Sequence, residues 1–264
     1  MYPSYSLFDR SMLSTCHCEL ASMLPAPLES LKAAQCVESH RMDWHPEAVH
    51  TVLLAESHVY TADRELQPML GPHDLTARRL NQTFARFVYC LGYGESEFAG
   101  PRSPQTPGTP QYWKLFASCV YRPSAEAFAA FLKGSNPSLL PRLRAKVSLL
   151  ERLRASGVWL VDASAIALYS PGGSRLHQTA YERVLRCSWN TYTGHLVRQA
   201  NPHSIVVIGK GVARALHREL SGLSDVEVHC VSQPQGCRTV GAISEVYASL
   251  HRVCQHAAHA RGVH

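Results

Sequence analysis

Short apolar runs that predict buried strands alternate with segments of helical periodicity along most of the chain. The apolar runs lie at 51–60, 84–94, 158–169, 204–209 and 226–231. Ahead of the third run, residues 140–157 repeat apolar side chains at three- and four-residue spacing, which indicates an amphipathic helix. Strands that alternate with helices are typical of parallel sheets. We therefore predict an α/β fold, namely a three-layer α/β/α sandwich around a central, mainly parallel sheet of four to five strands.

The start of the chain differs from this pattern. Residues 1–48 are irregular apart from a predicted helix near 29–37, so we predict an N-terminal extension over 1–48 and one α/β domain over 49–264. No apolar run reaches the roughly 20 residues that a membrane-spanning helix needs. The first residues also lack the basic and apolar segments of a signal peptide. We therefore expect a cytoplasmic monomer with no membrane partner.

Nine cysteines are scattered along the chain. The tightest group is Cys16, His17 and Cys18, followed at a distance by Cys36 and His40. Thiolates and imidazoles suit zinc, but this spacing differs from the C-x2-C pattern of zinc sites. We therefore favour free thiols, and we expect no metal and no other cofactor.

The charge is positive and unevenly distributed. The formal net charge is +6 and the isoelectric point is near 8.9. Acidic residues become sparse after residue 162, whereas basic residues accumulate there: Arg175, Arg183, Arg186, Arg198, Lys210, Arg214, Arg218 and Arg238. Such a distribution permits a nucleic-acid partner.

Several common motifs of α/β enzymes are missing. The GKG triplet at 209–211 lacks the G-x4-G-K-[ST] pattern of a phosphate-binding loop, so a turn between strand and helix is the better interpretation. The patterns G-x-S-x-G, H-E-x-x-H and G-x-G-x-x-G do not occur. These absences disfavour a serine hydrolase, a zinc protease and a dinucleotide-binding enzyme.

The segments that follow the predicted strands carry the polar residues. They are AESHVYTAD from residue 55, DASAIALY from 162, GKGVA from 209 and SQPQGCR from 232. Ligands of parallel sheets bind outside the carboxyl ends of the strands, so these four loops are the candidate site.

The order of these loops resembles the uracil-DNA glycosylase superfamily. In that family the first strand ends in a water-activating loop of the G-Q-D-P-Y or G-E-A-P-G type, and a middle strand ends in a base-reading Asn. A later strand carries a W-G-x-x-A-type turn, and the last one ends in H-P-S-P-L-S. The resemblance spans residues 50–240, including a proline-rich stretch near 99–111 ahead of a helix. It implies a uracil-DNA glycosylase-like fold and double-stranded DNA as partner, with the target base flipped out of the stack.

The chain departs from the family pattern at informative places. Glu56 takes the place of the Gln or Glu in the first motif, Ser57 that of the Asp or Ala, and His58 that of the Pro. Val59 stands where many uracil enzymes have a Tyr beside the base C5 atom, and Asp162 stands where they have the base-reading Asn.

The last motif departs as well. Gln233 replaces the catalytic His, while Pro234 matches the family. Cys237 falls at the position of the wedge Leu, and Arg238 follows it.

The resemblance implies hydrolysis of an N-glycosidic bond through an oxocarbenium-like transition state. We expect Glu56 to supply the carboxylate near C1′, with Asp63 as the reserve candidate, and His58 to assist the departing base. An ionised Asp162 only accepts hydrogen bonds, which favours the amino group of a cytosine over uracil. Val59 removes bulk beside C5, so a 5-substituted cytosine such as the glucosylated hydroxymethylcytosine of phage DNA is the predicted substrate, and antiphage defence the predicted context.

The remaining candidates would bind the base or the strand. Tyr93 and Tyr60 are candidates for base contacts. The expected contacts to DNA come from six residues: Ser57, Lys210, Ser232, Gln233, Gln235 and Arg238.

Alternatives stay open on the sequence alone. Asp162 can instead cap a loop, His58 can be structural, and Val59 or Tyr93 can be ordinary core residues. The missing family Asp and His favour a catalytically silent nucleic-acid-binding protein. The other candidate functions are a uracil-type repair glycosylase and a nucleotide or nucleoside hydrolase that acts on small molecules.

Overall fold

The computed structural model describes residues 9–24, 28–70, 75, 76, 80–99, 108–169, 174 and 176–260. Residues 100–107 of the predicted proline-rich loop, and Arg175 of the basic set, lie outside these ranges. The strands are β1 (Thr51–Ala55), β2 (Val158–Asp162), β3 (Ser204–Ile208) and β4 (Glu227–Val231). The helices are α1 (Arg10–Met23), α2 (Leu31–Asp43), α3 (Ser96–Ala99), α4 (Pro110–Val120), α5 (Ala125–Ala129), α6 (Leu139–Ala155), α7 (Gln178–Ser188), α8 (Gly194–Ala200), α9 (Lys210–Ala215), α10 (His217–Ser221) and α11 (Val240–Ala260), and a π-helical turn (Trp189–Thr193) joins α7 to α8.

The four strands form one sheet in the order β2-β1-β3-β4, and every pair is parallel. Every residue of β1, β2 and β3 is buried, as expected for a parallel sheet covered on both faces. Helices α4, α6 and α11 pack together beside β2, β3 and β4, while α1, α7 and α9 form a second packed group. The predicted α/β/α sandwich with a mainly parallel sheet is confirmed, with four strands.

One predicted strand is wrong. Residues 84–94 form consecutive turns, in which the amide of Cys90 donates to the carbonyl of Phe87 and the amide of Tyr93 donates to that of Cys90. Their side chains are buried in the core all the same. The apolar run therefore reflects burial rather than strand pairing, and periodicity cannot separate the two in a short segment.

Within the predicted N-terminal extension, the structure contains two helices where the sequence predicted one. Side chains of Asp9 and Ser30 cap α1 and α2 by accepting backbone amides of their first turns. Leu13, Cys16 and Leu20 of α1 are fully buried, and α1 packs against α7 and the π-helical turn. Helix α2 carries buried charged residues that reach the sheet, described below.

A glycine between α6 and β2 sets the alignment of β1 and β2. After α6, Gly157 adopts φ +68°, and a Cβ there would lie 2.4 Å from the ring of His50. Its carbonyl accepts the amides of His50 and Thr51 at 2.7 and 3.0 Å, which aligns β1 beside β2. The predicted helix end at this glycine is confirmed.

No helix within the described ranges is long and apolar enough to cross a membrane.

Candidate functional site

The register of the sheet brings the predicted polar loops to one edge. Ala55 at the end of β1 pairs with Asp162 at the end of β2, so Glu56 follows directly beside Asp162. On the other side, Ile208 at the end of β3 pairs with Val231 at the end of β4. In the sheet, β1 has β2 as its neighbour on one side and β3 on the other, so the strand order reverses at β1. In parallel sheets, ligands bind in the crevice at the carboxyl ends of the strands where this order reverses.

Two adjoining cavities occupy this edge. The first, which we call the inner cavity, measures about 170 Å³. It is lined by residues of the loops after β1 and β2, of the turns at 86–88, of the start of α4 and of the β4 loop: Glu56, Ser57, His58, Val59, Arg86, Phe87, Val88, Thr109, Gln111, Tyr112, Leu160, Asp162, Tyr169, Gln233 and Gln235.

The second cavity, which we call the basic cleft, measures about 390 Å³. Its lining residues come from the loops after β1, β2, β3 and β4: Glu56, Tyr169, Gly209, Lys210, Gly211, Val212, Arg214, Ser232, Gln233 and Gly236. Lys210 and Arg214 are both exposed, so their charges face solvent beside the cleft. Glu56, Tyr169 and Gln233 line both cavities and form the wall between them.

Glu56 is a buried carboxylate on this shared wall. The hydroxyl of Tyr169 donates to its Oε2 at 3.3 Å, and its backbone carbonyl accepts the amide of Ser164 at 3.1 Å. These contacts join the loop after β1 to the loop after β2. The acid that the sequence predicted for the chemistry therefore stands where the two cavities meet.

Gly209 lets the β3 loop and the β4 loop approach each other. It adopts φ +115°, and a Cβ there would lie 3.3 Å from the side chain of Gln233. Its amide donates to the carbonyl of Val231 at 2.8 Å. This glycine therefore makes the turn between β3 and α9, as predicted for the GKG triplet, and brings Gln233 to the shared wall.

Asp162 lies at the end of β2 as part of a buried ion-pair network. Arg41 donates to its Oδ2 through an Nη2–H at 2.9 Å, and Nδ1 of His58 lies 3.3 Å from the same oxygen. Burial by itself raises the pKa of Asp162, but the charge of Arg41 and the hydrogen bond from His58 outweigh burial and place this pKa below its usual value. Among the described residues, no hydrogen bond ends on Oδ1, which leaves that oxygen for a ligand of the inner cavity.

His58 bridges two carboxylates. Its Nε2 lies 2.6 Å from Oε2 of Glu29, and its Nδ1 contacts Asp162. Burial lowers the pKa of His58, but the charge of Glu29 and the hydrogen bond to Asp162 raise it to about 10. The imidazolium form thus donates through both ring nitrogens, so neither nitrogen faces a ligand. The predicted assistance to a departing base does not fit this geometry, and His58 positions Asp162 instead.

Glu29 holds the two loops that His58 connects. Its Oε1 accepts the amide of Thr61 at 3.0 Å, and its Oε2 accepts the amide of Ala167 at 3.0 Å. One buried carboxylate therefore fixes the loop after β1 and the loop after β2 from the segment ahead of α2. Glu29 was not among the site residues predicted from the sequence.

Arg41 and its partners extend the network under the inner cavity. The Nε of Arg41 donates to both carboxylate oxygens of Glu38 at 3.1 Å, and an Nη1–H donates to the carbonyl of Leu160 at 2.8 Å. Its guanidinium lies 4.8 Å from the ring centroid of Phe87, and Tyr192 donates to Glu38. Arg41, Glu38 and Tyr192 therefore satisfy one another's polar groups, as a buried network requires.

Aromatic residues that the sequence analysis did not select line the inner cavity. Phe87 and Tyr112 stand on its walls, and Tyr169 lies at the junction with the basic cleft. Burial raises the pKa of the Tyr112 hydroxyl, and the nearby charges of Asp162 and Glu56 raise it further, so this hydroxyl stays protonated. Tyr112 is therefore a hydrogen-bond donor beside both carboxylates.

The structure places part of the predicted base-binding and catalytic set away from the site. Asp63 is exposed and accepts a hydrogen bond from Ser30. Tyr93 is buried against a different cavity, and Tyr60 lines neither cavity of the site. Val59 lines the inner cavity as predicted.

The predicted DNA-contacting residues divide similarly. Lys210, Ser232 and Gln233 line the basic cleft, while Ser57 and Gln235 line the inner cavity. The hydroxyl of Ser57 also accepts the amide of Leu168 at 3.3 Å. Arg238 is exposed on the loop between β4 and α11 and lines neither cavity.

The cysteines of the described chain are free thiols. Cys16 is buried in α1 and Cys18 on the same helix is exposed, so the two side chains do not share an environment. Within the described ranges, no group of three or more His, Cys, Asp or Glu side chains is arranged to hold a metal ion.

No protein-family model matches this chain, and no curated protein matches it significantly.

Proposed function

We propose that this protein is a DNA glycosylase that hydrolyses the N-glycosidic bond of a flipped-out, cytosine-type base and leaves an abasic site. The observation that carries the proposal is the position of Glu56, a buried carboxylate on the wall between a ring-sized cavity and a cleft lined by Lys210 and Arg214. A flipped nucleotide has its base on one side of C1′ and its phosphates on the other. A carboxylate between the two compartments is therefore suited to act at C1′.

The size of the inner cavity favours a single ring. Its volume of about 170 Å³ is close to the roughly 150 Å³ of an engineered cavity that holds benzene. A pyrimidine fits such a space between Phe87 and Tyr112, where an aromatic face can stack on it. A hexose on C5 would extend beyond this volume, so a glucosylated base would have only its ring inside the cavity.

The hydrogen bonding of Asp162 favours a base that carries an amino group. Its Oδ2 is occupied by Arg41 and His58, and its lowered pKa keeps it ionised, so Oδ1 acts only as an acceptor. Cytosine presents the N4 amino donor, whereas uracil presents an O4 acceptor that would face the carboxylate. The cationic partners on Oδ2 also balance the charge that an unpaired carboxylate would bring to a dry cavity.

In the proposed reaction, Glu56 orients a water molecule and stabilises positive charge that develops on the sugar. The water oxygen bonds to C1′ as the C1′–N1 bond breaks, and the electron pair of that bond leaves with the base. The proton lost by the water ends on the departing base. Lys210 and Arg214 would hold flanking phosphates, and Gln233 on the shared wall would contact the flipped nucleotide.

The test uses duplexes of one sequence that differ at a single central base: uracil, cytosine, 5-hydroxymethylcytosine or glucosylated 5-hydroxymethylcytosine. Each is incubated with excess protein and then treated with hot alkali, which cleaves DNA at abasic sites. We expect strand cleavage with a 5-substituted cytosine, and much slower cleavage with Glu56→Gln. Absence of abasic sites with every base would overturn the proposal.

A nucleic-acid-binding protein without catalysis is the second candidate. It is favoured by the engagement of both ring nitrogens of His58, because His58 is the histidine among the described residues that line the inner cavity, and neither of its nitrogens is left to protonate a departing base. In that case fluorescence anisotropy would show that the same duplexes bind, and hot alkali would cleave none of them.

A further inference from the structure

A separate cavity of about 570 Å³ lies on the other side of the first turn of α4. We call it the lysine cavity, because Lys114, Lys133 and Lys146 line it together with Tyr93, Glu95 and Trp113. Among the residues that the structure describes, none lines both this cavity and either the inner cavity or the basic cleft. Its volume falls within the range of about 300–1,000 Å³ that is usual for small-molecule sites.

The charges that line this cavity are unbalanced. Three lysines face one carboxylate, Glu95. That carboxylate is already engaged by Arg142, which donates to Oε1 through Nε at 2.8 Å and to Oε2 through an Nη2–H at 2.5 Å. Within the described ranges, Lys114 and Lys133 form no ion pair. The described lining of the cavity therefore carries an excess of positive charge.

Lys146 is the buried member of the three lysines. Its Nζ donates to Oε1 of Glu95 at 2.6 Å and lies 4.7 Å from the ring centroid of Trp113. An ammonium carries three donors, and Glu95 occupies one of them. Burial lowers the pKa of Lys146, and the charges of Arg142 and Lys133 lower it further against the opposing effect of Glu95. An anion beside Nζ would stabilise the ammonium against both its burial and its repulsion by Arg142 and Lys133.

We propose that the lysine cavity binds a nucleoside phosphate, with the phosphate on the three lysines and the nucleoside against the side chains of Tyr93 and Trp113. The buried aromatic walls favour an organic anion over a bare one, and the lysines favour the double charge of a phosphate over a single carboxylate. The nucleotide unit can be free or can belong to a DNA strand. The site does not depend on the proposed glycosylase activity.

The experiment measures binding by titration calorimetry on the full-length protein. The probes are 2′-deoxyadenosine 5′-monophosphate, 2′-deoxyadenosine, inorganic phosphate, and an eight-nucleotide strand with or without a 5′-phosphate. The test variant is Lys114→Ala/Lys133→Ala, whose side chains form no ion pair with any described residue, so the fold should persist and thermal unfolding checks it. The charge-retaining variant Lys114→Arg/Lys133→Arg and the exposed Lys32→Ala are the controls.

We expect the alanine pair to weaken binding of the monophosphate at least tenfold, while both controls bind like the wild type. Binding of the 5′-phosphorylated strand alone, with the same dependence on the two lysines, would identify the strand as the source of the nucleotide. The proposal is overturned if deoxyadenosine or inorganic phosphate binds as tightly as the monophosphate, or if the alanine pair binds every probe like the wild type. Because no step measures base excision, failure here is distinct from failure of the proposed function.

Discussion

Arg41 of α2 donates to Oδ2 of Asp162 at the end of β2, and both side chains are almost completely buried. The two residues are 121 positions apart in the chain. Their ion pair joins the N-terminal helices to the carboxyl edge of the sheet, where the inner cavity opens. It also fixes which oxygen of Asp162 remains for a ligand. The geometry of the candidate site therefore depends on a helix that lies ahead of the first strand.

Removal of the Arg41 charge should destabilise the fold. In Arg41→Met, the carboxylates of Glu38 and Asp162 would lose their buried cationic partner, a change that typically costs about 3–5 kcal/mol. Urea unfolding followed by circular dichroism measures the free energy of unfolding. Lys32→Met, an exposed lysine on the same helix, is the control and should leave that free energy nearly unchanged. Equal stability of Arg41→Met and the wild type would show that this ion pair does not hold the edge of the sheet.

His58 should make stability fall at alkaline pH. Its pKa is about 10 in the folded protein against an ordinary value of 6.5, so the folded state holds this proton more tightly than the unfolded state. The stabilisation is fully present below pH 6.5 and is lost as the pH rises toward 10. We expect the free energy of unfolding to fall across this range in the wild type.

The matched variants isolate the contribution of His58. His58→Gln should give a shallower slope of unfolding free energy against pH between 6.5 and 10. His195→Gln, on the exposed face of α8, should keep the wild-type slope. If His58→Gln and the wild type have the same slope, the imidazole does not take up a proton on folding.

The fold could be predicted from the sequence where pattern and burial coincide. The runs that became β1, β2 and β3 are mainly apolar, with one polar residue at an end of each strand, because a parallel sheet covered on both faces buries every side chain. An apolar run also led to the wrong prediction of a strand at 84–94, where the buried segment consists of turns. Helix α1 was missed although Leu13, Cys16 and Leu20, all fully buried, recur at the three- and four-residue spacing that is typical of a helix.

The site was predictable only in part. Glu56 and Asp162 follow strands directly, so their place at the edge of the sheet could be predicted from local sequence. Glu29 and Arg41 reach that edge from segments far away in the chain, and no local pattern indicates such contacts. Glu38 and Arg41 stand at the i,i+3 spacing of an ion pair, but exposed helices show the same spacing, so the sequence does not reveal that this pair is buried.

Glu56→Gln should abolish most turnover and spare binding. The substitution keeps the shape of the side chain and removes the charge that would stabilise the sugar in the transition state. We expect a loss of about 100-fold or more in the single-turnover rate. Glu47→Gln, an exposed carboxylate just ahead of β1, is the control. A near-wild-type rate for Glu56→Gln would remove Glu56 from the chemistry.

Binding to duplex DNA should weaken steeply as salt increases, because cations that neutralise phosphates release counterions. Lys210→Ala should reduce the slope of log affinity against log salt by about 1, because Lys210 lines the basic cleft. Arg238→Ala should also weaken binding from its exposed loop. Lys32→Ala, an exposed lysine that lines neither cavity, should leave the slope unchanged. A flat salt response in the wild type would mean that the positive charge is not a DNA-binding surface.

Asp162→Asn should change which base is preferred. The amide can donate a hydrogen bond as well as accept one, so it can satisfy the O4 acceptor of uracil, which the carboxylate cannot. An acceptor that faces another acceptor in a dry cavity costs about 1–3 kcal/mol, or roughly 5- to 150-fold in rate. We expect the ratio of single-turnover rates on the cytosine-type base and on uracil to fall by a factor in this range.

The substitution also weakens the ion pairs with Arg41 and His58, so urea unfolding must first show that the variant is folded. Ser164→Ala, which alters the same loop without changing its charge, is the control and should keep the wild-type ratio. If Asp162→Asn is folded and active with an unchanged ratio, Asp162 does not select the base, and the cytosine assignment loses its main support.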